Sequence, residues 1–582
     1  MKRLNKATPW IVGILLASLL FAVLLSENLL LYSGSDDAPI LREYMGFEGG
    51  QPATFSMLIH PAMGWTLAGL AKLFPGVAWF SIFQLFFLWF SSVVVVKSLM
   101  RCAALHGRSQ WLGAALGALT LVAGAFWISM RISFTTTAAW LGAAAVAQLA
   151  SVDWQNGGRR RVRRGMSLSI ALLLCCYFLR QVSVLPPLAF WLTGLCIVWL
   201  SYRKQTDQPL LGPILAGVAV CAALLLLLTG ARLIETKIMD VQDVYAWSDA
   251  SGNILDYSDT KKTVPTDEAL AAIGWPRETY QMFTYWYFLD DVMTTDSMTR
   301  LYEGTFTPAA RTVGETLQGA ASLVQTTVRG TPSQAYGIWF ALTAAALSLI
   351  LAAMRDFRKP FLWLGALAAP LLGALLLGFL GWEGRLPMRA MLSVTLPMMA
   401  LSLWMLCMNL EPETGARARN LTALLLCALL VYPAAQGAAH AWDESQKTLL
   451  AARRELEINE TFISEDLDTY AAENPDTLFI YDLSLVSDYR LFPKMPENLA
   501  GNALFWGGHT ARTPGWYRML AKFGVTELNG GILLRDDVVL ASVNPEPWPG
   551  MTDYIAQTAQ ADVDWEYYDM YGLIYFFHFH II

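Results

Sequence analysis

Charge and cysteine are scarce in this chain. Only 15% of its 582 residues are charged, against roughly a quarter in a soluble globular protein, which excludes a water-soluble enzyme. The seven cysteines (Cys102, Cys175, Cys176, Cys196, Cys221, Cys407 and Cys427) all lie in or beside apolar runs. None has CxxC spacing, and Cys175 and Cys176 on a helix point to different faces, so neither structural zinc nor a disulfide framework is expected. The two long polar stretches contain no cysteine. Secreted domains below ~80 residues often need disulfide staples, and these stretches are longer. Basic excess is missing as well: 41 Lys and Arg face 47 Asp and Glu, a net charge of −6. A nucleic-acid partner, which needs a basic stripe, is not expected. There is no internal repeat and no low-complexity tract.

What the chain has in abundance is apolar. Hydrophobic residues make up 55% of it, and its mean hydropathy is +0.41. Its 22 tryptophans suit the aromatic belts of membrane interfaces. A spanning helix needs about 20 mostly apolar residues, and about eleven stretches qualify: Trp10–Leu31, Val77–Lys97, Trp111–Ser129, Phe134–Ala150, Met166–Leu185, Pro187–Tyr202, Leu210–Gly230, Ala335–Met354, Phe361–Gly381, Met388–Met408 and Asn420–His440. The first follows Lys2, Arg3 and Lys6 and reads as an anchor, with no clear small-residue cleavage site. The run Phe55–Phe74 is left out of this count. Counting it would turn outward every later loop rich in Lys and Arg, including the one carrying Arg159–Arg161, Arg163 and Arg164. Leaving it out turns all of them inward, as the positive-inside rule requires. His60-Pro61, Gly64 and Gly69 also break it, so an interfacial amphipathic helix is the better reading.

This topology describes an α-helical polytopic membrane protein with a cytoplasmic N-terminus. Residues 1–440 form the transmembrane domain, with outer loops at 32–76 and 231–334. Residues 441–582 form a small extracytoplasmic α+β domain. Within that tail Leu449–Ala472 reads as helix, Thr477–Val486 as strand, Gly530–Val543 as a hairpin and Gly572–His580 as a terminal strand. In the second outer loop Tyr280, Phe283, Tyr287 and Phe288 fall at helical spacing. That aromatic face suits either a membrane surface or the core of an outer domain.

Two groups of residues offer chemistry. Asp36 and Asp37 follow the first span at once, ahead of a short helix and of His60. A carboxylate in a partly desolvated cleft can act as general base toward a hydroxyl, and a carboxylate pair can hold a divalent cation. Acids after a span are also ordinary solvated loop residues, and spacing alone favours that reading. The second group is a set of cations at the outer ends of spans: Arg131, Arg180, Arg232, Lys237, Arg385 and Arg389. Singly each is a snorkelling anchor. Converging from different spans, they form a site for an anionic headgroup, with arginine forks matched to phosphate oxygens. Glu383 is placed to orient Arg385.

Residues Trp10 to Lys97 resemble the opening of the GT-C superfamily of membrane glycosyltransferases. The likeness is carried by Asp36-Asp37-Ala38 after the first span, His60-Pro61-Ala62-Met63 at the start of an interfacial helix, and Lys72-Leu73-Phe74-Pro75-Gly76 before the next span. Ala62 stands where the pattern has a second proline, and Ile40 and Leu41 replace an aromatic. The resemblance implies an inverting transfer of sugar from a polyprenyl-phosphate carrier to a glycan, lipid or protein acceptor at the outer face of a bacterial plasma membrane. Asp36 would be the base, Asp37 an orienting partner or metal ligand, and His60 part of the cleft, with a divalent metal ion as the one cofactor left open. The competing readings are a transporter or flippase for a lipid-linked or anionic solute, and a non-catalytic envelope assembly protein. Transporters usually show repeats and midplane ionisable groups; this chain shows no repeat, and nearly all its ionisable residues sit at span ends.

Overall fold

The computed structural model describes residues 7–26, 30–32, 36–156, 158–203, 210–256, 263–306, 313–330, 332–356, 360–384, 386–410, 421, 424–425, 427–459, 463–486, 491–493, 499, 501–571 and 574–582. The chain divides into two compact units interleaved along the sequence. The first comprises Met1–Leu30, Phe83–Gly230 and Val313–Thr448; the second comprises Leu31–Ile82, Ala231–Thr312 and Leu449–Ile582.

Among the described residues, nine helices are long and apolar enough to cross a membrane: Thr8–Ser26, Trp79–Leu105, Gln110–Met130, Gly158–Leu179, Val182–Tyr202, Leu211–Ile238, Pro332–Arg355, Phe361–Trp382 and Met388–Asn409. They correspond to nine of the eleven stretches expected from hydropathy. The tenth, Phe134–Ala150, is a 17-residue helix buried along its whole length. The eleventh falls partly outside the described residues; its described portion runs into the helix Val431–Asn459. Phe134–Ala150 packs against Met388–Asn409, which is buried from Met391 onward. Helices apolar on every face belong at the centre of a bundle. Small residues set the spacing there: a Cβ on Gly142 would lie 2.3 Å from the Pro187 ring, and one on Gly194 2.6 Å from Trp404. Close approach through small residues and hydrogen bonds between helices are the usual glue of such bundles. Trp140 Nε1 donates to Ser92 Oγ at 3.1 Å and Trp191 Nε1 to Ser169 Oγ at 2.7 Å.

The second unit is built on a five-stranded sheet. Its strands are β1 (Leu478–Tyr481), β2 (Ala503–Phe505), β3 (Val538–Ser542), β4 (Val563–Tyr571) and β5 (Ile574–Ile581), in the order β2-β1-β3-β5-β4. β1 runs parallel to both β2 and β3, while β5 runs antiparallel to β3 and β4. The sheet changes two sequence expectations. Gly530–Val543 is not a hairpin: Gly530–Leu534 is a 3-10 helix, and Val538–Ser542 pairs in parallel with β1. The expected strand Thr477–Val486 stops at Tyr481, and Leu483–Val486 forms a 3-10 turn. The Asp482 carboxylate organises that turn, accepting the Ser484 N–H at 3.0 Å, Ser542 Oγ at 2.5 Å and Trp548 Nε1 at 2.6 Å.

Tyr280, Phe283, Tyr287 and Phe288 settle into the core of this unit and not onto a surface. Phe288 meets Trp247 edge-on at 4.6 Å and Tyr287 meets Trp506 at 5.5 Å. Four further helices of the unit frame the candidate site: α1 (Asp37–Met45), α2 (Pro61–Leu73), α3 (Ile463–Glu473) and α4 (Pro514–Lys522). The excluded run Phe55–Phe74 contains only α2, whose 13 residues are too few to span a bilayer. Trp65, Leu73 and Phe74 on it are exposed.

Candidate functional site

The adjacent carboxylates Asp36 and Asp37 part company at the start of α1. Neighbours one position apart on a helix do not share a face. Asp37, in the first turn, is 1% exposed, where an acid also complements the helix dipole. It lies by Tyr32, whose hydroxyl is 2.6 Å from Ser81 Oγ. Burial, reinforced by the Asp37 charge, holds the Tyr32 hydroxyl well above its ordinary pKa. Asp36 is the N-cap residue, yet its side chain makes no capping hydrogen bond. A cap oxygen normally accepts from the first N–H groups of its helix; this carboxylate turns elsewhere. It keeps 18% of its side-chain surface, and Oδ1 lies 3.6 Å from His509 Nδ1.

His509 escaped the sequence reading. It sits on a turn after β2 that only glycines can form. A Cβ on Gly507 would lie 1.6 Å from the Trp286 carbonyl oxygen, and Gly508 has φ +81°. Trp506 anchors the turn from one side, its N–H bonded to the Tyr481 carbonyl and its carbonyl accepting from Phe288 N–H, both at 2.9 Å. On the other side Thr513 caps α4. The signal in the sequence was a histidine following a Gly-Gly pair directly after a short apolar strand.

All nine residues of α1 are buried, charged ones included. Arg42 pairs with Asp468 of α3, and its guanidinium lies 5.1 to 5.5 Å from the ring centroids of Phe47, Tyr481 and Phe505. Glu43 and Glu48 are buried nearby. Burial and the neighbouring Glu48 charge push Glu43 well above the usual carboxylate range. Burial pushes Glu48 up to about 7, with Arg42 pulling it down and Asp468 pushing it up. Neither Glu48 oxygen has a hydrogen-bond partner among the described residues.

Of the other residues singled out in this unit, His60 is the N-cap of α2. Its Nδ1 accepts the Ala62 N–H at 3.1 Å, and Pro61 takes the first helical position, where its missing N–H costs nothing. Arg232 stacks 4.7 Å from the Tyr245 ring centroid. Next to it Glu235 accepts the Trp65 indole N–H at 2.6 Å. Lys237 is exposed. Among the described residues, no ion pair joins Asp36 to Arg232 or Lys237.

In the first unit Arg131 and Arg180 both lie near the start of one helix. Arg131 lies two residues before Ser133, the N-cap of Phe134–Ala150, whose Oγ accepts the Thr135 N–H at 3.3 Å. Arg180 reaches the same place from the end of Gly158–Leu179, its guanidinium 5.2 Å from the Phe134 ring centroid. Thr135 Oγ1 beside them is buried without a hydrogen-bond partner among the described residues. A helix amino terminus favours anions, and an arginine fork matches the oxygens of a phosphate. Arg389 is half-buried in the first turn of Met388–Asn409, and Glu383 is exposed. Arg385 lies outside the described residues.

Among the described residues, no group of three or more His, Cys, Asp and Glu side chains is placed to hold a metal ion. No family model and no curated protein matches the chain by sequence. Among solved structures, the chain is similar to ArnT from Cupriavidus metallidurans, in one crystal structure bound to undecaprenyl phosphate and in another in the apo state. The alignments cover 98% of this chain and 98% of each of those, at 12% and 13% identity and TM-scores of 0.36 and 0.37.

Proposed function

We propose that this protein is a membrane glycosyltransferase that moves a sugar from a polyprenyl-phosphate carrier to an envelope acceptor, with inversion at the anomeric carbon. The carrying observation is Asp36: a carboxylate at the head of a buried helix, partly desolvated, yet not engaged by the helix it starts. The opening of the sequence, which resembles the GT-C glycosyltransferases over Asp36-Asp37-Ala38 and His60-Pro61, assigns the base to the same residue.

In this reading Asp36 accepts the proton of the acceptor hydroxyl as that oxygen attacks the anomeric carbon. The bond from that carbon to the carrier phosphate breaks, and the phosphate departs with the electron pair. Charge grows on its oxygens in the transition state, so donors fixed in advance are worth most there. Arg131 and Arg180, near one helix amino terminus of the first unit, are proposed in their own right as binders of an anionic phosphate. Should a divalent cation take part, Asp36 and the carrier phosphate are its natural ligands, since such ions are commonly held by one or two carboxylates plus substrate phosphates.

The test is sugar transfer in membranes supplied with a polyprenyl-phosphate-linked donor. Asp36→Asn should fold, as judged by thermal unfolding, and lose transfer. Normal transfer by that variant removes Asp36 from the mechanism.

A further inference from the structure

We propose that the loop following α1 holds a calcium ion between the carboxylates of Glu43 and Glu48, with the Ser56 hydroxyl and the Thr54 carbonyl among its oxygen ligands. The site stands apart from the proposed transfer. Glu43 comes two turns after Asp36, about 10 Å further along the same helix.

The backbone brings these groups together. α1 ends at Gly46, whose φ of +88° is the left-handed conformation that glycine adopts most readily. Its N–H donates to the Arg42 carbonyl at 3.0 Å, and a Cβ there would lie 2.9 Å from the Gln51 backbone. The loop then turns back, and the Ala53 N–H donates to the Glu43 carbonyl at 2.9 Å. Glu48 on the outward leg and Ser56 on the return leg both come to the Glu43 side chain. Gly64 of α2 leaves the space open: the Thr54 carbonyl oxygen and the Tyr44 hydroxyl lie 2.8 and 3.0 Å from the point its Cβ would occupy.

Two observations call for a cation. The first is charge. Glu43 and Glu48 are 3% and 2% exposed, and Arg42 beside them is paired with Asp468. The two carboxylates are therefore uncompensated, which a buried site tolerates badly. Burial holds both carboxyls above their usual range. The second is a set of unused oxygens. Both Glu48 oxygens, Glu43 Oε2, the Tyr44 hydroxyl and Ser56 Oγ are buried, and none has a hydrogen-bond partner among the described residues. Native structures rarely leave so many buried polar atoms unsatisfied in one place. Protons would neutralise the acids and leave these lone pairs unused; a divalent ion answers both demands.

The oxygens choose the ion. Carboxylates, a hydroxyl and a backbone carbonyl on an irregular loop suit calcium, whose shell is flexible, whereas magnesium demands an octahedron and keeps several waters. Zinc favours nitrogen and sulfur. With two carboxylates only, the site lies outside the three-residue groups of acids, histidines and cysteines considered above. The remaining ionisable neighbours are engaged elsewhere: Glu235 accepts the Trp65 indole N–H, and Arg232 lies over the Tyr245 ring.

The test uses the full-length protein in nanodiscs of phosphatidylcholine alone, stripped with EGTA. Radiolabelled calcium should bind at one ion per chain and raise the unfolding midpoint by about 2 °C or more at saturation. Magnesium at equal concentration should raise it less. Glu43→Gln and Glu48→Gln, close to the native shape, should each lose the bound ion and the shift. Ser56→Ala, a milder change, should weaken calcium binding roughly tenfold. In EGTA the wild type should lose stability as pH rises toward 7, and calcium should remove that loss. A wild type that binds no calcium overturns the proposal, and this measurement decides even where a glutamine variant fails to fold. A calcium shift that survives in Glu48→Gln, or binding unchanged in Ser56→Ala, places the ion elsewhere and overturns it as well.

Discussion

Arg42 of α1 and Asp468 of α3 form a fully buried ion pair between residues 426 positions apart in the chain. It ties the helix headed by Asp36 to the carboxy-terminal part of the second unit. A buried pair is poor evidence of net stabilisation, because desolvating two charges offsets most of their attraction. Removing one partner is different, since it strands the other. Arg42→Ala should therefore destabilise the protein by about 3–5 kcal/mol, and it also strips the cation from over Phe47, Tyr481 and Phe505. An Arg42→Met, Asp468→Leu double variant should recover most of that loss. Thermal unfolding in nanodiscs measures both; a single variant within about 0.5 kcal/mol of wild type would show that the pair does not hold the helix.

Glu48 gives the second unit a pH dependence of defined sign. Burial raises its pKa from 4.5 to about 7, so the folded protein binds a proton that the unfolded chain has already released between those values. Stability from this group is fully present below the unfolded pKa and is lost as pH rises toward 7. The stake is about 3 kcal/mol at most, and Glu43, raised in the same direction, adds to it. Glu48→Gln should flatten the dependence and stabilise the protein at pH 8. Unfolding midpoints between pH 5 and 8 check it: a wild type that grows more stable toward pH 8 refutes the assignment.

His60, expected from sequence to line the cleft, is the N-cap of α2. Nδ1 accepts from Ala62 N–H, with Pro61 at the first helical position. Asparagine is among the best N-caps, so His60→Asn should keep the stability of wild type. His60→Ala should lose about 1 kcal/mol. If asparagine proves as damaging as alanine, the ring does more than cap α2.

The difference between what sequence revealed and what it concealed follows from the range of the interactions. The spanning helices are local: twenty apolar residues announce themselves, and ambiguity arises only where a run such as Phe55–Phe74 is broken by Pro61 and Gly64. Asp36 was legible because it follows a span. The parallel pairing of β1 with β2 and β3 was not, since parallel partners lie far apart in sequence and their ladder leaves no turn signal; Asp536-Asp537 suggested a hairpin that does not form. Arg42 and His509 stayed hidden for the same reason. Nothing within a window around Arg42 predicts Asp468, and nothing around His509 predicts Asp36.

The arginines at the amino end of Phe134–Ala150 allow two physical accounts that kinetics can separate. Arg180 directly follows the Gly158–Leu179 helix, where a cation complements the carboxyl end of the dipole, and this alone would justify it. If that were its whole role, Arg180→Gln would lower the unfolding midpoint and leave transfer by the folded fraction intact. If Arg131 and Arg180 grip a phosphate, each glutamine variant should keep its fold and lose roughly tenfold to a hundredfold in kcat/KM for the lipid-linked donor, the worth of a hydrogen bond between charged groups. Arg180→Lys distinguishes further. Lysine keeps the charge and the dipole interaction but lacks the planar fork that engages two phosphate oxygens at once. A lysine variant with wild-type stability and much reduced kcat/KM therefore points to bidentate phosphate binding, whereas full activity with lysine reduces Arg180 to a point charge at a helix end.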